Sequence, residues 1–282
     1  MILKVFYALT WAFFLSSAQS QAIGFIESQL NNTNEIIGLG GAVSTVISPD
    51  GSSVYAAGFS EQSIVTFSRQ SNGKLTFVET YTNATNLNGI NNLLISSDGK
   101  FVYAANVFAN GISVFSRATN GKLTFVELLK NGVRNADGLT QVNSLSLSFD
   151  SKFLYATSSL GIVVFSRDVT SGLLQFVEIK SVSNATSTAL SADNKHLYTT
   201  ASNDNAVQLF SRDAASGRLT LMATYTNGIN EITGLSGAYD VVINPNGSKV
   251  YVAANTDNAI AEFNRDATTG TLTFSKSYFD DG

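Results

Sequence analysis

A tyrosine followed by a phenylalanine, an arginine and a glycine recurs five times in this chain, and that repeat constrains the fold more than any other feature. The tyrosines are Tyr55, Tyr103, Tyr155, Tyr198 and Tyr251, spaced by 48, 52, 43 and 53 residues. Each is followed by Phe67, Phe115, Phe165, Phe210 or Phe263, and two residues later by Arg69, Arg117, Arg167, Arg212 or Arg265. A glycine then closes a turn: Gly73, Gly121, Gly172, Gly217 and Gly270. The last copy is the clearest, four short runs reading VVI, KVYVAA, AIAEF and TLTFSKSYF, separated by Asn, Asp, Thr and Gly. Short runs rich in Val, Ile, Tyr, Phe and Thr between such turn residues are antiparallel strands. Four strands repeated at roughly 40–50 residues mark the blades of a β-propeller, whose apolar faces are covered only by neighbouring blades. The expected fold is therefore an all-β propeller with blades at about 43–83, 91–130, 143–180, 186–226 and 239–280.

A sixth fragment stands before the first blade. Residues 22–28, AIGFIES, have the pattern of a fourth strand without its three predecessors. Either the chain is a piece of a longer propeller, or the ring closes on five blades and this strand joins the last one. Further upstream, Lys4 precedes an apolar run from Val5 to Leu15, too short to span a bilayer, and Ser16-Ser17-Ala18 offers small residues for cleavage. Residues 1–18 thus read as a signal peptide and 19–282 as the propeller domain. The expected location is secreted or periplasmic, with no membrane span in the mature chain.

The runs SPDGSSVYAAG and SSDGKFVYAAN, and the tail FSRDAASGRLT followed by a Tyr-Thr-Asn-Gly linker, resemble the lactonase-like seven-bladed propeller family. That group includes the propeller-type 6-phosphogluconolactonases. The linker GLGGA, echoed as GLSGA, is similar to that of exported bacterial members. The resemblance implies a propeller scaffold and, as a function, hydrolysis of a sugar or organic-acid lactone. This chain has five repeats where the family has seven, and lacks a His/Arg/Glu cluster onto which catalytic residues carry over.

Composition removes several functions. Without cysteine there is no disulfide, thiolate nucleophile or thiolate metal site. A formal charge of −4 gives no basic field for nucleic acid. The Asp/Asn tips, Asn203-Asp204-Asn205 and Asn255 to Asn258, lack the alternating carboxylates of a calcium loop and are ordinary turn residues. No metal or cofactor is expected. The five arginines, present in every blade, are expected to be structural, with Glu79, Glu127 and Glu178 as partners across the hairpin. His196, the only histidine, falls at the start of a second strand, away from the axis.

What varies between blades near the axis is the better guide to a site. The first strand of each blade lines the channel of a propeller, and before its apolar part stand Ser44, Asn92, Ser144, Ser187 and Asp240. These five form the expected ring of hydrogen-bonding groups for a small polar ligand or lactone at the channel mouth. Asp240 is the only formal charge among them and the candidate base for activating water. Arg134, Asn135 and Asp137, in the least repeated linker, are the expected outer neighbours. A non-enzymatic ligand- or protein-binding module and a structural cell-surface repeat remain as alternatives, since fold alone does not choose between them.

Overall fold

The computed structural model describes residues 26–280 except Asn34. Five separate four-stranded antiparallel sheets follow one another along the chain. Blade 1 is β1 (Ala42–Ile47), β2 (Ser53–Gly58), β3 (Ser63–Arg69) and β4 (Leu75–Thr82). Blade 2 is β5 (Ile90–Ile95), β6 (Phe101–Asn106), β7 (Gly111–Arg117) and β8 (Leu123–Lys130). Blade 3 is β9 (Leu145–Leu147), β10 (Phe153–Ser158), β11 (Gly161–Arg167) and β12 (Leu174–Ser181). Blade 4 is β13 (Ala185–Leu190), β14 (His196–Ala201), β15 (Ala206–Arg212) and β16 (Leu219–Thr226). Blade 5 is β17 (Ala238–Ile243), β18 (Lys249–Ala254), β19 (Ala259–Arg265) and β20 (Leu272–Phe279). The fold is the expected all-β propeller architecture, and among the described residues no helix is long and apolar enough to cross a membrane. The signal peptide expected over residues 1–18 lies outside the described residues.

Alternation along the middle strands explains the stacking. In blade 2, Tyr103, Ala105, Ile112 and Val114 share one face and pack against Leu154, Ala156, Val163 and Phe165 of blade 3. The other face, with Val102, Ala104 and Phe115, packs against Tyr55, Ala57 and Ile64 of blade 1. A middle strand buried on both faces reads as a continuous apolar run, as FVYAAN does. Each third strand also slips register against the fourth just before its phenylalanine, as at Val114/Phe115, a bulge that adds twist to the blade.

The repeated tyrosine, arginine and glycine form one clasp that is built across four seams. Tyr103 donates its hydroxyl to the Gly172 carbonyl of the next blade at 2.9 Å and accepts from Arg167 Nε at 2.6 Å. Burial pushes the Tyr103 phenol up to about 12, so it stays a donor near neutrality. Arg167 also donates to the Ser151 carbonyl at 3.2 Å and reaches Asp98 of the preceding blade at 3.4 Å. Tyr55, Tyr155 and Tyr198 donate likewise to Gly121, Gly217 and Gly270, and accept from Arg117, Arg212 and Arg265. Four of the five arginines are structural as expected, with partners across the seam, whereas Arg69 is exposed and its guanidinium has no hydrogen-bond partner among the described residues. Glu79, Glu127 and Glu178 do not pair with them. Glu79 and Glu178 accept instead the backbone N–H of Leu123 and Leu219 in the following blade, at 2.8 and 2.7 Å, while Glu127 takes Arg134 at 2.6 Å.

At the first turn of blades 1 to 3 a carboxylate ties the clasp to the backbone, which makes those seams acid-sensitive. Hydrogen bonds from Ser48 and Ser52, with Arg117 beyond them, hold Asp50 well below the usual carboxylate range. Burial alone would raise Asp98 and Asp150, but bonds from Ser96 and Ser148, a backbone N–H each, and Arg167 or Arg212 outweigh it and hold both low. A carboxylate whose folded pKa is depressed contributes stability above its unfolded value, near 3.9, and loses it as pH falls toward the folded pKa. Stability in urea is therefore expected to decline as pH drops below about 5, and the variant Asp98→Asn to decline less steeply.

His196 occupies the position held by Phe101 and Phe153 in blades 2 and 3, where those rings lie 5.2 Å from an arginine carbon. It is 5% exposed, and its Nδ1 is 3.0 Å from an Arg265 nitrogen. Burial and then the Arg265 charge lower its pKa. Because the folded value lies below the unfolded one near 6.5, the unfolded chain takes up the proton first, and the blade 4–blade 5 seam weakens as pH falls through that value. His196→Phe should abolish this near-neutral component of the pH–stability curve and leave the acid component of the aspartates.

Residues 26–29 settle beside blade 1. Glu27 Oε1 accepts from Leu75 N at 2.6 Å, and Gln29 donates to the Leu75 carbonyl at 3.4 Å. The described part of the orphan strand is thus not a fifth strand of blade 5, whose sheet holds β17 to β20.

Candidate functional site

The inner strands β1, β5, β9, β13 and β17 neighbour one another in order, and their N-terminal ends surround a cavity of about 320 Å³. Val43, Asn91, Asn92, Asn143, Ser144, Thr186, Ser187, Tyr239 and Asp240 line it, so all five blades contribute. Four of the five residues expected to ring the channel mouth, Asn92, Ser144, Ser187 and Asp240, are brought together here. Ser44 is beside them but its neighbour Val43 supplies the wall.

The hydrogen bonds divide these five into two groups. Ser44 Oγ accepts from Leu93 N at 3.0 Å, Asn92 Oδ1 from Leu145 N at 3.1 Å, and Ser187 Oγ from Val241 N at 3.5 Å. Each bond crosses to the inner strand of the next blade, so at three positions the polar side chain is a seam element. Only Asp240 and Ser144 depart from this pattern. Asp240 Oδ1 accepts from the Ser187 hydroxyl at 2.5 Å and from its own strand at Val241 N at 2.9 Å, which fixes the carboxylate. Its Oδ2, and the Ser144 hydroxyl, have no protein partner among the described residues. Neighbours missed in the sequence are Tyr239, Asn91, Asn143 and Thr186. Tyr239 is 52% exposed, and Asn91 donates to the Asn143 carbonyl at 3.2 Å. The signal for them was present, since they directly flank the polar positions in sequence.

Arg134, Asn135 and Asp137 are not part of this mouth. Arg134 and Asn135 line a second cavity, of about 680 Å³, with Ser166, Arg167, Asp168, Ser171 and Gln175, at the outer turn of blade 3. It is larger but holds no first-strand residue. Arg134 and Asn135 have left-handed φ values of 51° and 59°, and Arg134 pairs with Glu127 on the outer strand of blade 2, away from the channel mouth. His196 lies in the blade 4–blade 5 clasp. No group of three or more His, Cys, Asp or Glu side chains placed to hold a metal occurs among the described residues.

What the mouth offers chemically is one fixed carboxylate with a free oxygen, one free hydroxyl, and a rim of amides and a tyrosine. It holds no lysine, arginine or histidine. Such a site can hydrogen-bond a polyhydroxy molecule and can take a proton from water.

Comparisons with known proteins agree with the architecture. A search of curated proteins finds no match. Among solved structures, the periplasmic gluconolactonase of Pseudomonas aeruginosa is 21% identical over 84% of this chain and 69% of its own, with a TM-score of 0.68. A candidate 6-phosphogluconolactonase from Bacteroides uniformis is also 21% identical, over 82% of this chain and 69% of its own, with a TM-score of 0.69. Virginiamycin B lyase from Staphylococcus aureus, 19% identical over 83% of this chain and 69% of its own, superposes with a TM-score of 0.57. At these identities the likeness concerns the fold, which carries more than one chemistry. The model of the family described as "Lactonase, 7-bladed beta-propeller" matches residues 80–178 and 130–233. Those segments together span more than half of the sequence, and with the repeated clasp and the five sheets they establish that the chain belongs to the lactonase family of seven-bladed β-propellers.

Proposed function

We propose that this protein is an exported hydrolase of a small lactone, a sugar or organic-acid lactone, and that the channel mouth is its site. The observation that carries the reading is the Ser187–Asp240 pair, which holds one carboxylate oxygen and leaves the other open to a cavity lined from all five blades. In the reaction, Asp240 takes a proton from water as the water oxygen adds to the lactone carbonyl. The tetrahedral alkoxide collapses, the ring C–O bond breaks, and the departing ring oxygen recovers the proton from Asp240. The product is the open hydroxy acid. Ser144 and the Asn91 and Asn92 amides of the rim suit a substrate rich in hydroxyls.

A screen of simple aldonolactones against the purified protein tests the reading. Turnover is expected, and Asp240→Asn should lower kcat/KM by about 10²–10⁴-fold, the usual contribution of a general base, at unchanged stability. Absence of turnover above buffer, with saturable binding of a sugar acid at the same mouth, would favour a binding module. The single charge of the site and its lack of a cation to stabilise an oxyanion favour that second reading.

Export is supported by the apolar run from Val5 to Leu15 ahead of Ala18, and by the periplasmic description of the Pseudomonas neighbour. N-terminal sequencing of exported protein should begin at Gln19. A form beginning at Met1 and found only in the cytosol would overturn it.

A further inference from the structure

The leucine that opens each fourth strand donates its N–H to whatever precedes its blade, except at one seam. Leu75 donates to Glu27 at 2.6 Å, Leu123 to Glu79 at 2.8 Å and Leu219 to Glu178 at 2.7 Å. Leu272 donates to the Tyr225 hydroxyl at 2.7 Å. Leu174, which opens β12, is 2% exposed, and its N–H has no such partner among the described residues. By register the partner is Glu127, which stands two residues after Phe125 as Glu79 does after Phe77 and Glu178 after Phe176. Glu127 instead gives Oε2 to Arg134 at 2.6 Å, and its Oε1 is buried with no hydrogen-bond partner. One seam thus leaves both a donor and an acceptor open, where buried polar groups are ordinarily paired.

Two departures from the repeat go with this opening. In blades 2 and 4 the residue before that leucine is a cation, Lys122 or Arg218, which reaches Oε2 of the same glutamate at 3.8 and 3.1 Å. Blade 3 has Leu173 there, so nothing from its own turn holds Glu127 against the Leu174 N–H. The cation comes instead from the linker, where Arg134 stands on left-handed backbone, a conformation with a steric cost for any residue bearing a Cβ. Beside the open pair lies the cavity of about 680 Å³, walled by Arg134, Leu173 and Leu174 together with Asn135, Asp168 and Gln175. That volume is of the size that takes a small molecule.

We propose that this cavity is a binding site for a neutral sugar, one hydroxyl of which accepts from the Leu174 N–H and donates to Glu127 Oε1. A hydroxyl is the one small group that meets both needs at once. The blade 4–blade 5 seam shows that a hydroxyl suits this N–H, since Tyr225 fills the same place there. The other walls fit further hydroxyls. Asp168 spends Oδ1 on the Thr170 and Ser171 N–H groups and the Ser171 hydroxyl, which leaves Oδ2 as an acceptor. The Asn135 and Gln175 amides have no partner among the described residues. Leu173 and Leu174 offer apolar surface to the C–H face of a ring. Charge argues against a sugar acid. Arg134 is neutralised by Glu127 and Arg167 is held in its clasp, so Asp168 is the carboxylate left to repel an anion.

The site is independent of the lactonase reading, and the amide of Leu174 reports on it directly. The isotope-labelled full chain is titrated by NMR with methyl glucoside, methyl galactoside and maltotriose, and with galacturonate as the charged counterpart. At least one neutral sugar should shift the Leu174 amide resonance saturably, with a Kd of roughly millimolar order. Leu123 and Leu219 should stay unmoved, and galacturonate should bind at least tenfold more weakly. Tighter binding of maltotriose than of methyl glucoside assigns the cavity to a glycan chain, and equal binding to a single sugar unit. Leu173→Arg restores the cation found at Lys122 and Arg218. It should weaken the sugar at least tenfold, with Tm unchanged or raised and any lactone turnover unaltered. Arg134→Gly, which suits the left-handed backbone, should release Glu127 to Leu174 and slow exchange of that amide in heavy water. A Leu174 resonance that no neutral sugar moves, as when water alone fills the gap, would overturn the proposal. So would equal affinity in Leu173→Arg, or shifts confined to the channel mouth.

Discussion

Replacing Phe115 with alanine is expected to cost about 3–5 kcal/mol of folding stability, the range for deleting a buried aromatic ring. The side chain is fully buried, with the Tyr81 ring 5.0 Å away and the Phe125 ring 5.6 Å away, both edge-on. Such pairs contribute beyond their buried area. Phe115 also stands at the bulge that twists β7 against β8 and belongs to the core shared with blade 1. The loss should therefore spread to the blade 1–blade 2 seam and reduce cooperativity as well as the urea midpoint. Phe108→Ala is the matched control, since Phe108 is 62% exposed, and surface changes of that kind usually stay within about 0.5 kcal/mol. Equal midpoints for the two variants would show that the repeated phenylalanine is not core.

The fold was legible because the repeat carries its own register. Tyr, Phe, Arg and Gly recur at matched offsets, and strands bounded by Asn, Asp and Gly follow from local chemistry. The partners of those residues were not legible. A glutamate two residues after Phe77, Phe125 or Phe176 looks equally able to bridge its own hairpin or the next blade, and only the stacking of blades selects the Leu123 or Leu219 N–H. The same holds at the axis. A polar residue before each inner strand was visible, but its two uses were not. Ser44 and Asn92 serve the backbone of the next blade, while Asp240 is held by Ser187 with one oxygen free. Sequence position identified the mouth, and the hydrogen bonds separate its scaffold from its candidate chemistry. Arg134 was placed wrongly because a linker of positive-φ residues turns where no periodic pattern predicts it.

Arg167→Ala should approach Phe115→Ala in severity, at about 2–5 kcal/mol, because each buried hydrogen-bonding group it strands costs about 1–3 kcal/mol. The Arg167 side chain is fully buried, and its removal strips Tyr103 of one hydrogen bond, the Ser151 carbonyl of another, and Asp98 of its cation. It also leaves a hole beneath the Phe101 ring. Lysine should rescue little, because a single ammonium cannot meet a phenol, a carbonyl and a carboxylate from one planar fork. Arg69→Ala makes the same chemical change at the same repeat position, where the guanidinium is exposed and unpartnered among the described residues. Its effect should stay within about 0.5 kcal/mol. The difference between the two variants, read from urea midpoints at pH 7, measures what one closed seam contributes beyond the blade itself. Repeating both at pH 3 should shrink it, because the unfolded chain then takes up a proton that the folded Asp98, held low in part by Arg167, resists, while Arg69 has no such carboxylate among the described residues. If the two arginines prove equivalent at pH 7, the clasp is not what holds the blades together, and the apolar clusters between them would have to carry the seam alone.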